Sequence, residues 1–224
     1  MLFISSKLQK LSNKLERYSY YYKTREFHKR LGAFPSTAVF RLPDVCSCPE
    51  KIFLEDNTSI FENSKFIISP IGDNGKFIMK RNSYASQGLT VITGNHPRQI
   101  GQWNLDAADS HKYDIDVDII IEEDVGIGAN VTLLAGACIG RGATIGAGSV
   151  VSTKIPPYAV VTGNPAQVVS FVFTPEEIIE HEKILYNDDD RLPLAKLEKN
   201  YKKYYMDHIH HIAGYMSLRM MPKE

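Results

Sequence analysis

The chain has 224 residues, 43% hydrophobic and 23% charged, with 15 Gly and 11 Pro. That is the composition of one globular domain with appendages, and it excludes the disordered, collagenous and low-complexity classes. Lys+Arg and Asp+Glu both number 26, so nothing global draws a polyanion and no nucleic-acid partner is expected. Cys46, Cys48 and Cys138 are too few to staple a fold of this size, no apolar run approaches a membrane span, and the opening residues lack a secretory signal. A soluble, cytoplasmic chain is the expectation.

Residues 1–49 form a basic, aromatic segment and connector. The first 30 residues hold eight Lys and Arg against Glu16 and Glu26, with Tyr18, Tyr20, Tyr21 and Tyr22 clustered on a predicted amphipathic helix. Two roles fit it, peripheral docking on an anionic membrane surface and packing between subunits, and the sequence leaves both open. Cys46-x-Cys48 lacks the second pair a zinc site needs and reads as structural thiols.

From about residue 50 to 168 the chain repeats with a period of six. Leu54, Ile60 and Phe66 start the pattern, with Thr58 and Ser64 at the small positions; ISPIGDNGK interrupts it, and Met79, Ala85 and Val91 resume it, with Ile78 and Tyr84 as an alternative phase. The segment 97–114 has no hexad and is predicted to leave the repeat as an extruded loop. The clearest run is Ile115, Ile121, Ile127, Leu133, Ile139, Ile145 and Val151. Seven aliphatics in a row at one spacing arise by chance about once in ten thousand tries. Inward residues two apart mark one face of a short strand, and the gap of four leaves room for a tight corner. Three strands and three corners then make one triangular turn of a parallel β-prism. Asp114, Asp116 and Asp118 alternate along the re-entering strand and are expected to face solvent.

Beyond the prism, Thr174, Pro175 and Glu177 read as N-cap, first helical residue and capping-box partner of a helix whose apolar face is Ile178, Ile179 and Leu185. DDDRLP breaks it, and a second helix is expected from about Leu194 to beyond Tyr205. Residues 169–224 are thus a helical extension. Asp207, His208, His210 and His211 near the end read as solvated surface rather than a metal site.

The segments TVITGNHP (Thr90–Pro97) and IGANVTLLAGACIGRGATIGAGSVVSTKIPPYAVVTGNPAQVV (Ile127–Val169) resemble the hexapeptide-repeat acyltransferases, in particular the sugar O-acetyltransferases grouped with galactoside and maltose acetyltransferases. The resemblance implies an all-β core with α appendages, a left-handed parallel β-helix, assembled as a homotrimer with active sites between subunits. It implies acetyl-CoA as co-substrate, no metal, and transfer of acetyl to a hydroxyl of a sugar, such as a surface-polysaccharide precursor. The His of the matching T-G-x-H-P motif is the family's catalytic base, which falls on His96. Coenzyme A contacts carry over to Gly128, Ala129, Ala147, Ser152, Thr153 and Lys154, with a backbone N–H near Gly128 steadying the oxyanion. Gly126 and Gln167 depart from the family's usual aromatic and Arg. Asn95, beside the base, and Trp103 and His111 in the loop are the candidate substrate contacts. Three other readings are an antibiotic O-acetyltransferase with the same base and groove, the zinc carbonic anhydrase built on this β-helix, and a non-catalytic assembly protein.

Overall fold

The computed structural model describes residues 2–110 and 114–208, and the side chains of 8–109 and 114–208. A long helix, α1 (Leu2–His28), opens the chain. Its residues 8–23 are exposed, and among the described side chains it packs mainly through its last turn. There Phe27 is buried and meets Phe40 edge-on with ring centroids 5.2 Å apart. The stack continues through Phe66 and Phe77 at the same 5.2 Å spacing. This aromatic column closes the end of the prism at its first coil, where no further coil of the described residues covers the apolar interior.

Among the described residues the prism has five coils. The first is β1 (Val39–Phe40), β2 (Val45–Cys46) and β3 (Ile52–Leu54); the second is β4 (Ser59–Ile60), β5 (Lys65–Ile67) and β6 (Phe77–Met79). The third is β7 (Tyr84–Ala85), β8 (Thr90–Ile92) and β9 (Ile119–Ile121), and it carries α2 (Asn104–Ser110) in the excursion between its last two strands. The fourth is β10 (Gly126–Ile127), β11 (Thr132–Leu134) and β12 (Cys138–Ile139); the fifth is β13 (Thr144–Ile145), β14 (Val150–Val151) and β15 (Lys154–Ile155). Equivalent strands stack in parallel into three sheets, headed by β1, β2 and β3 and called faces one, two and three. Register holds column by column, as in Ala85 beside Ile127 and Ile127 beside Ile145. Each inward side chain therefore lies on its equivalent one coil away, about 4.8 Å along the axis. The hexad positions Leu54, Ile60, Phe66, Met79, Ala85 and Val91 are all buried, so the upstream phase is the one through Met79. Tyr84, of the alternative phase, is 53% exposed.

Corners need residues that tolerate a left-handed backbone. Between faces three and one they are Asn57, Asn82, Asp124, Gly142 and Tyr158, all with φ between 57° and 68°. Gly, Asn and Asp suit that conformation. Tyr158 does not, yet its ring is buried to 1% exposure and lies against Gly142, where a Cβ would collide with it.

After the fifth coil β16 (Ala159–Thr162) extends face one, and β17 (Gln167–Phe171) folds back antiparallel to cover its open edge. Helices α3 (Pro175–Leu185) and α4 (Leu194–Tyr204) follow. The capping box is present: Thr174 Oγ1 accepts from the Glu177 N–H and the Glu177 carboxylate accepts from the Thr174 N–H at 2.8 Å. Among the described residues no helix is long and apolar enough to cross a membrane.

Four expectations are corrected. The repeat begins at Val39 rather than near residue 50, so β1 and β2 lie within the segment read as a helical connector, and β17 lies within the segment read as a helical extension. Ile115 is 52% exposed and is not an inward hexad. Asp114, Asp116 and Asp118 are not outward and solvated: each is partly buried, and each carboxylate has a partner inside the protein. Leu185 is exposed, because the buried stripe of α3 runs through Ile178, Glu182 and the following Tyr186.

Candidate active site

The excursion from the third coil leaves through a short antiparallel neck. Asn95 and Ile115 exchange both backbone hydrogen bonds, at 3.0 and 3.1 Å, and the Val117 N–H donates to the Thr93 carbonyl at 3.1 Å. That register sets residue 96 directly opposite residue 114, as a non-hydrogen-bonded pair whose side chains approach closely. His96 Nδ1 lies 2.8 Å from Asp114 Oδ1; the Asp114 side chain is 6% exposed and the imidazole 50%. An ionised carboxylate only accepts, so this pairing favours, in the neutral ring, the tautomer with the proton on Nδ1 and the lone pair on Nε2.

Asp116 and Asp118 secure the neck from beneath. Ser69 Oγ donates to Asp116 Oδ2 at 2.7 Å, and the Lys76 N–H donates to Asp118 Oδ1 at 2.8 Å. A Cβ on Gly94 would sit 2.7 Å from Asp116 Oδ1, so the Gly of the T-G-N-H-P segment lets this carboxylate tuck under the strand. The Lys51 ammonium donates to the carbonyls of Ser69, Ile71 and Asn74, fixing the corner below.

The groove residues divide between two edges of the prism. Gly128 and Ala129 follow β10, and Ala147 follows β13, so all three lie where face one turns into face two. Ser152 and Thr153 follow β14 and lead into Lys154 on β15, where face two turns into face three, the edge from which Asn95 and His96 emerge. The structure therefore groups Asn95 and His96 with Ser152, Thr153 and Lys154, two coils apart along one edge, and sets Gly128, Ala129 and Ala147 on another. Ala147, Ser152, Thr153 and Lys154 are exposed. The Gly128 N–H donates to the Ile145 carbonyl at 2.8 Å, so that group belongs to the ladder and is not a donor to an oxyanion.

The sequence profile described as bacterial transferase hexapeptide (six repeats) matches residues 118–153. The chain is 33% identical over 138 residues to a protein of Lysinibacillus sphaericus named "Probable macrolide acetyltransferase", covering 58% of this chain and 73% of that one. It is 30% identical over 175 residues to a chloramphenicol acetyltransferase of Klebsiella aerogenes, covering 78% of this chain and 75% of that one. The chain belongs to the hexapeptide-repeat acetyltransferases. Two solved acetyltransferase structures share the fold. One is a maltose O-acetyltransferase of Clostridium difficile 630, with TM-score 0.56, 24% identity and coverage of 68% and 76% of the two chains. The other is a hexapeptide-repeat acetyltransferase of Vibrio cholerae O1 biovar eltor in complex with acetyl coenzyme A, with TM-score 0.55, 22% identity and coverage of 71% and 78%. The prism is accordingly a left-handed parallel β-helix.

Other side chains of this acetyltransferase are placed as follows. Trp103 lies just before α2 and is 82% exposed, so it does not pack on its own prism; Leu105 is 71% exposed. Asn95 is exposed beside His96. His111, and His210 and His211 of the terminal cluster, lie outside the described residues. Tyr84 covers Gly126 from the preceding coil, where a Cβ would meet its Oη at 3.0 Å, so an aromatic ring stands near that position after all, supplied by another strand. Gln167 is exposed on β17, opposite Thr162. Burial pushes the Cys46 thiol up to about 11, which makes it a poor nucleophile near neutral pH. Among the described residues no three His, Cys, Asp or Glu side chains gather as a metal-binding group. Asp114 is the functional candidate that sequence reasoning missed. Its signal was the spacing itself, since the residues that enter and leave an excursion face each other at its neck.

Proposed function

We propose that this protein is an acetyl-CoA-dependent O-acetyltransferase acting on a hydroxyl of a sugar, with His96 as general base and Asp114 as its positioning residue. The observation that carries the reading is the 2.8 Å pair between His96 Nδ1 and Asp114 Oδ1 on a half-exposed ring. A hydroxyl is a weak nucleophile at neutral pH, and its proton must leave as the new C–O bond forms. His96 Nε2 takes that proton, Asp114 holds the resulting imidazolium, and the same nitrogen returns the proton to the departing sulfur. Bound acetyl-CoA supplies the thioester, whose carbonyl carbon receives the hydroxyl oxygen and whose thiolate is the leaving group.

The residues present fit that co-substrate. At the edge between faces one and two, Ala129 and Ala147 carry no bulk, and a Cβ on Gly148 would find nothing within 4 Å. A polyamide arm can therefore approach the backbone there. Lys154, exposed on β15, offers a cation for phosphate. His96 and the Ala129–Ala147 edge lie on different edges of one prism. We therefore propose a homotrimer in which each site pairs His96 of one chain with that edge of its neighbour. Exposed Trp103 supplies an apolar platform of the kind sugars stack on.

A second acceptor class is favoured by the Lysinibacillus relative, whose name describes a macrolide acetyltransferase. Both classes present a hydroxyl to the same base, so an acceptor panel separates them. Release of coenzyme A thiol is followed with sugars and with macrolides, and turnover on macrolides alone overturns the sugar reading. His96→Ala is expected to lose about 10²–10⁴ of the rate on either class. Because the ring is half exposed, its thermal unfolding should match the parent. Retention of most of the transfer rate removes His96 from the role of base.

A further inference from the structure

Helix α1 is physically incomplete as it stands. It runs for 27 residues, yet residues 8–23 touch nothing that buries them. Ser and Tyr, which are indifferent helix formers, are frequent along it. Helices in proteins owe most of their stability to tertiary packing of an apolar face rather than to propensity. Five of its apolar and aromatic side chains keep one pattern: Leu8, Leu11, Leu15, Tyr18 and Tyr22 are separated by three, four, three and four residues, with exposed Tyr21 on the Lys14 flank beside them. All five are between 54% and 65% exposed. The average spacing of 3.5 residues is that of a coiled-coil seam, narrower than the face of a helix packed on a globular core. Lys10, Lys14, Glu16, Arg17 and Lys23 occupy the other sides. Tyr20 lies on the side away from the seam, and its hydroxyl accepts from the Leu42 N–H of the prism at 3.4 Å. The seam thus points away from its own prism.

We infer that the Leu8–Tyr22 seam of α1 docks against the same seam of the neighbouring copies of this chain, in parallel and in register, as a coiled coil that the three helices of the proposed trimer share. The occupant follows from pattern and charge. Knobs spaced three and four apart need a partner helix with matching holes, and an identical copy supplies one. Lys14 flanks the seam on one side, whereas Ser12 and Ser19 flank it on the other. A parallel pair sets Lys14 against Ser19, while an antiparallel pair brings the lysine flanks of the two helices together, where like charges repel. A membrane surface is the poorer occupant, because an interfacial helix presents a broad apolar face and this one has a two-column stripe flanked by Lys14 and Tyr21 on one side and by Ser12 and Ser19 on the other. The inference goes beyond the acyl-transfer reading and takes from it only the trimer: the prisms can pair His96 with a neighbouring edge whether or not the helices above them touch.

The test uses the full-length chain with Cys46, Cys48 and Cys138 replaced by Ser. In this background Leu8→Cys is expected to give about tenfold more disulfide-linked dimer on mild oxidation than Asn13→Cys, which lies on the far side of α1, because a parallel seam holds the Leu8 positions side by side at high effective concentration. Equal yields overturn the inference. So does a linkage that forms only when Leu8→Cys and Tyr22→Cys chains are mixed, which reports antiparallel pairing, and so does sedimentation with phosphatidylserine–phosphatidylcholine vesicles without cross-linking. A second variant avoids cysteine. In Leu11→Lys combined with Leu15→Lys, far-UV helix signal should fall while the prism's thermal transition stays where it was. Unchanged helicity overturns the inference, since an unpartnered exposed helix does not sense these substitutions. Loss of acetyl transfer with cross-linking intact bears on His96 and leaves the seam standing.

Discussion

Asp114 and Gly128 show how a single atom's surroundings decide what a residue can do here. The Asp114 carboxylate, 6% exposed, faces His96 Nδ1 across the neck. Its charge favours the tautomer with the proton on Nδ1 and the lone pair on Nε2, the atom we propose as the base. In Asp114→Asn the amide can donate to Nδ1 and stabilise the opposite tautomer, so kcat should fall by roughly 10² within the span general-base help covers. Kd for coenzyme A should stay put, as a calorimetric titration beside the kinetics would reveal; equal losses in both would mean that the neck has collapsed. Gly128 is a different case. A Cβ there would sit 2.7 Å from the Ala147 backbone nitrogen and 3.0 Å from the Ile145 carbonyl oxygen, neither of which can swing aside. Gly128→Ala should therefore cost about 1–3 kcal/mol by overpacking, lowering Tm by a few degrees in a thermal scan. His96 was legible in the sequence because a motif surrounds it. Asp114 was not, because its partner lies 18 residues away across an excursion that contains no repeat. Alternation by itself made three aspartates look solvated, although each has a partner within the protein.

Whole elements were legible where packing follows hydrophobic pattern and obscure where a polar group does the packing. The period of six located the faces of the prism, and Thr174, Pro175 and Glu177 located the start of α3. Ile178 and Ile179 were read correctly as the packed side, but its continuation through Glu182 and Tyr186 was missed, because a carboxylate sits in the middle of that stripe, which an apolar pattern cannot register. Glu182 is fully buried; it accepts from Arg141 Nη1 at 3.3 Å, from Tyr158 Oη at 3.0 Å and from the Leu192 N–H. The Arg141 guanidinium also binds Glu123 at 3.1 Å and lies 4.0 Å from the Tyr186 ring centroid. Burial above all, with Glu182 next, pushes the Tyr158 hydroxyl well above its usual range, keeping it protonated as a donor. This cluster joins α3 to the corner between faces three and one. Glu182→Ala leaves the buried Tyr158 hydroxyl and the Leu192 N–H without their acceptor and takes one of two carboxylates from Arg141, and should cost about 3–5 kcal/mol. Limited proteolysis should then open the segment between α3 and α4 while the coils stay resistant; unchanged cleavage would mean that the apolar contacts of Ile178 and Leu197 suffice. The first coil was missed for a related reason. Phe40, Cys46 and Ile52 keep the spacing of six, but β3 turns both Ile52 and Leu54 inward, so the count slips by two before the next coil.

The geometry of the whole prism constrains how an active site can be completed. Face two separates the edge that carries His96 from the edge that carries Ala129 and Ala147. A strand of three residues spans about 10 Å, and the interior between those edges is filled by Phe66, Val91, Leu133 and Val151, all fully buried. No rotation of a side chain brings the two edges together within one chain. A neighbouring prism packed edge to edge does so by symmetry, and each interface of a closed trimer repeats the pairing. This separation predicts complementation between two inactive proteins. His96→Ala lacks the proposed base and keeps an intact Ala129–Ala147 edge; Ala147→Trp keeps His96 and fills the edge. Each alone should release little coenzyme A thiol. Co-expressed in equal amounts and assorting at random, they should place a sound base against a sound edge at one half times one half, about a quarter, of the interfaces of a cyclic assembly. Activity near a quarter of the parent in the mixed protein supports a site shared between chains. Mixed trimers shown by mass spectrometry to contain both variants, yet no more active than either homotrimer, would place the whole site on one chain and require a route to coenzyme A along the His96 edge itself, past Ser152 and Thr153.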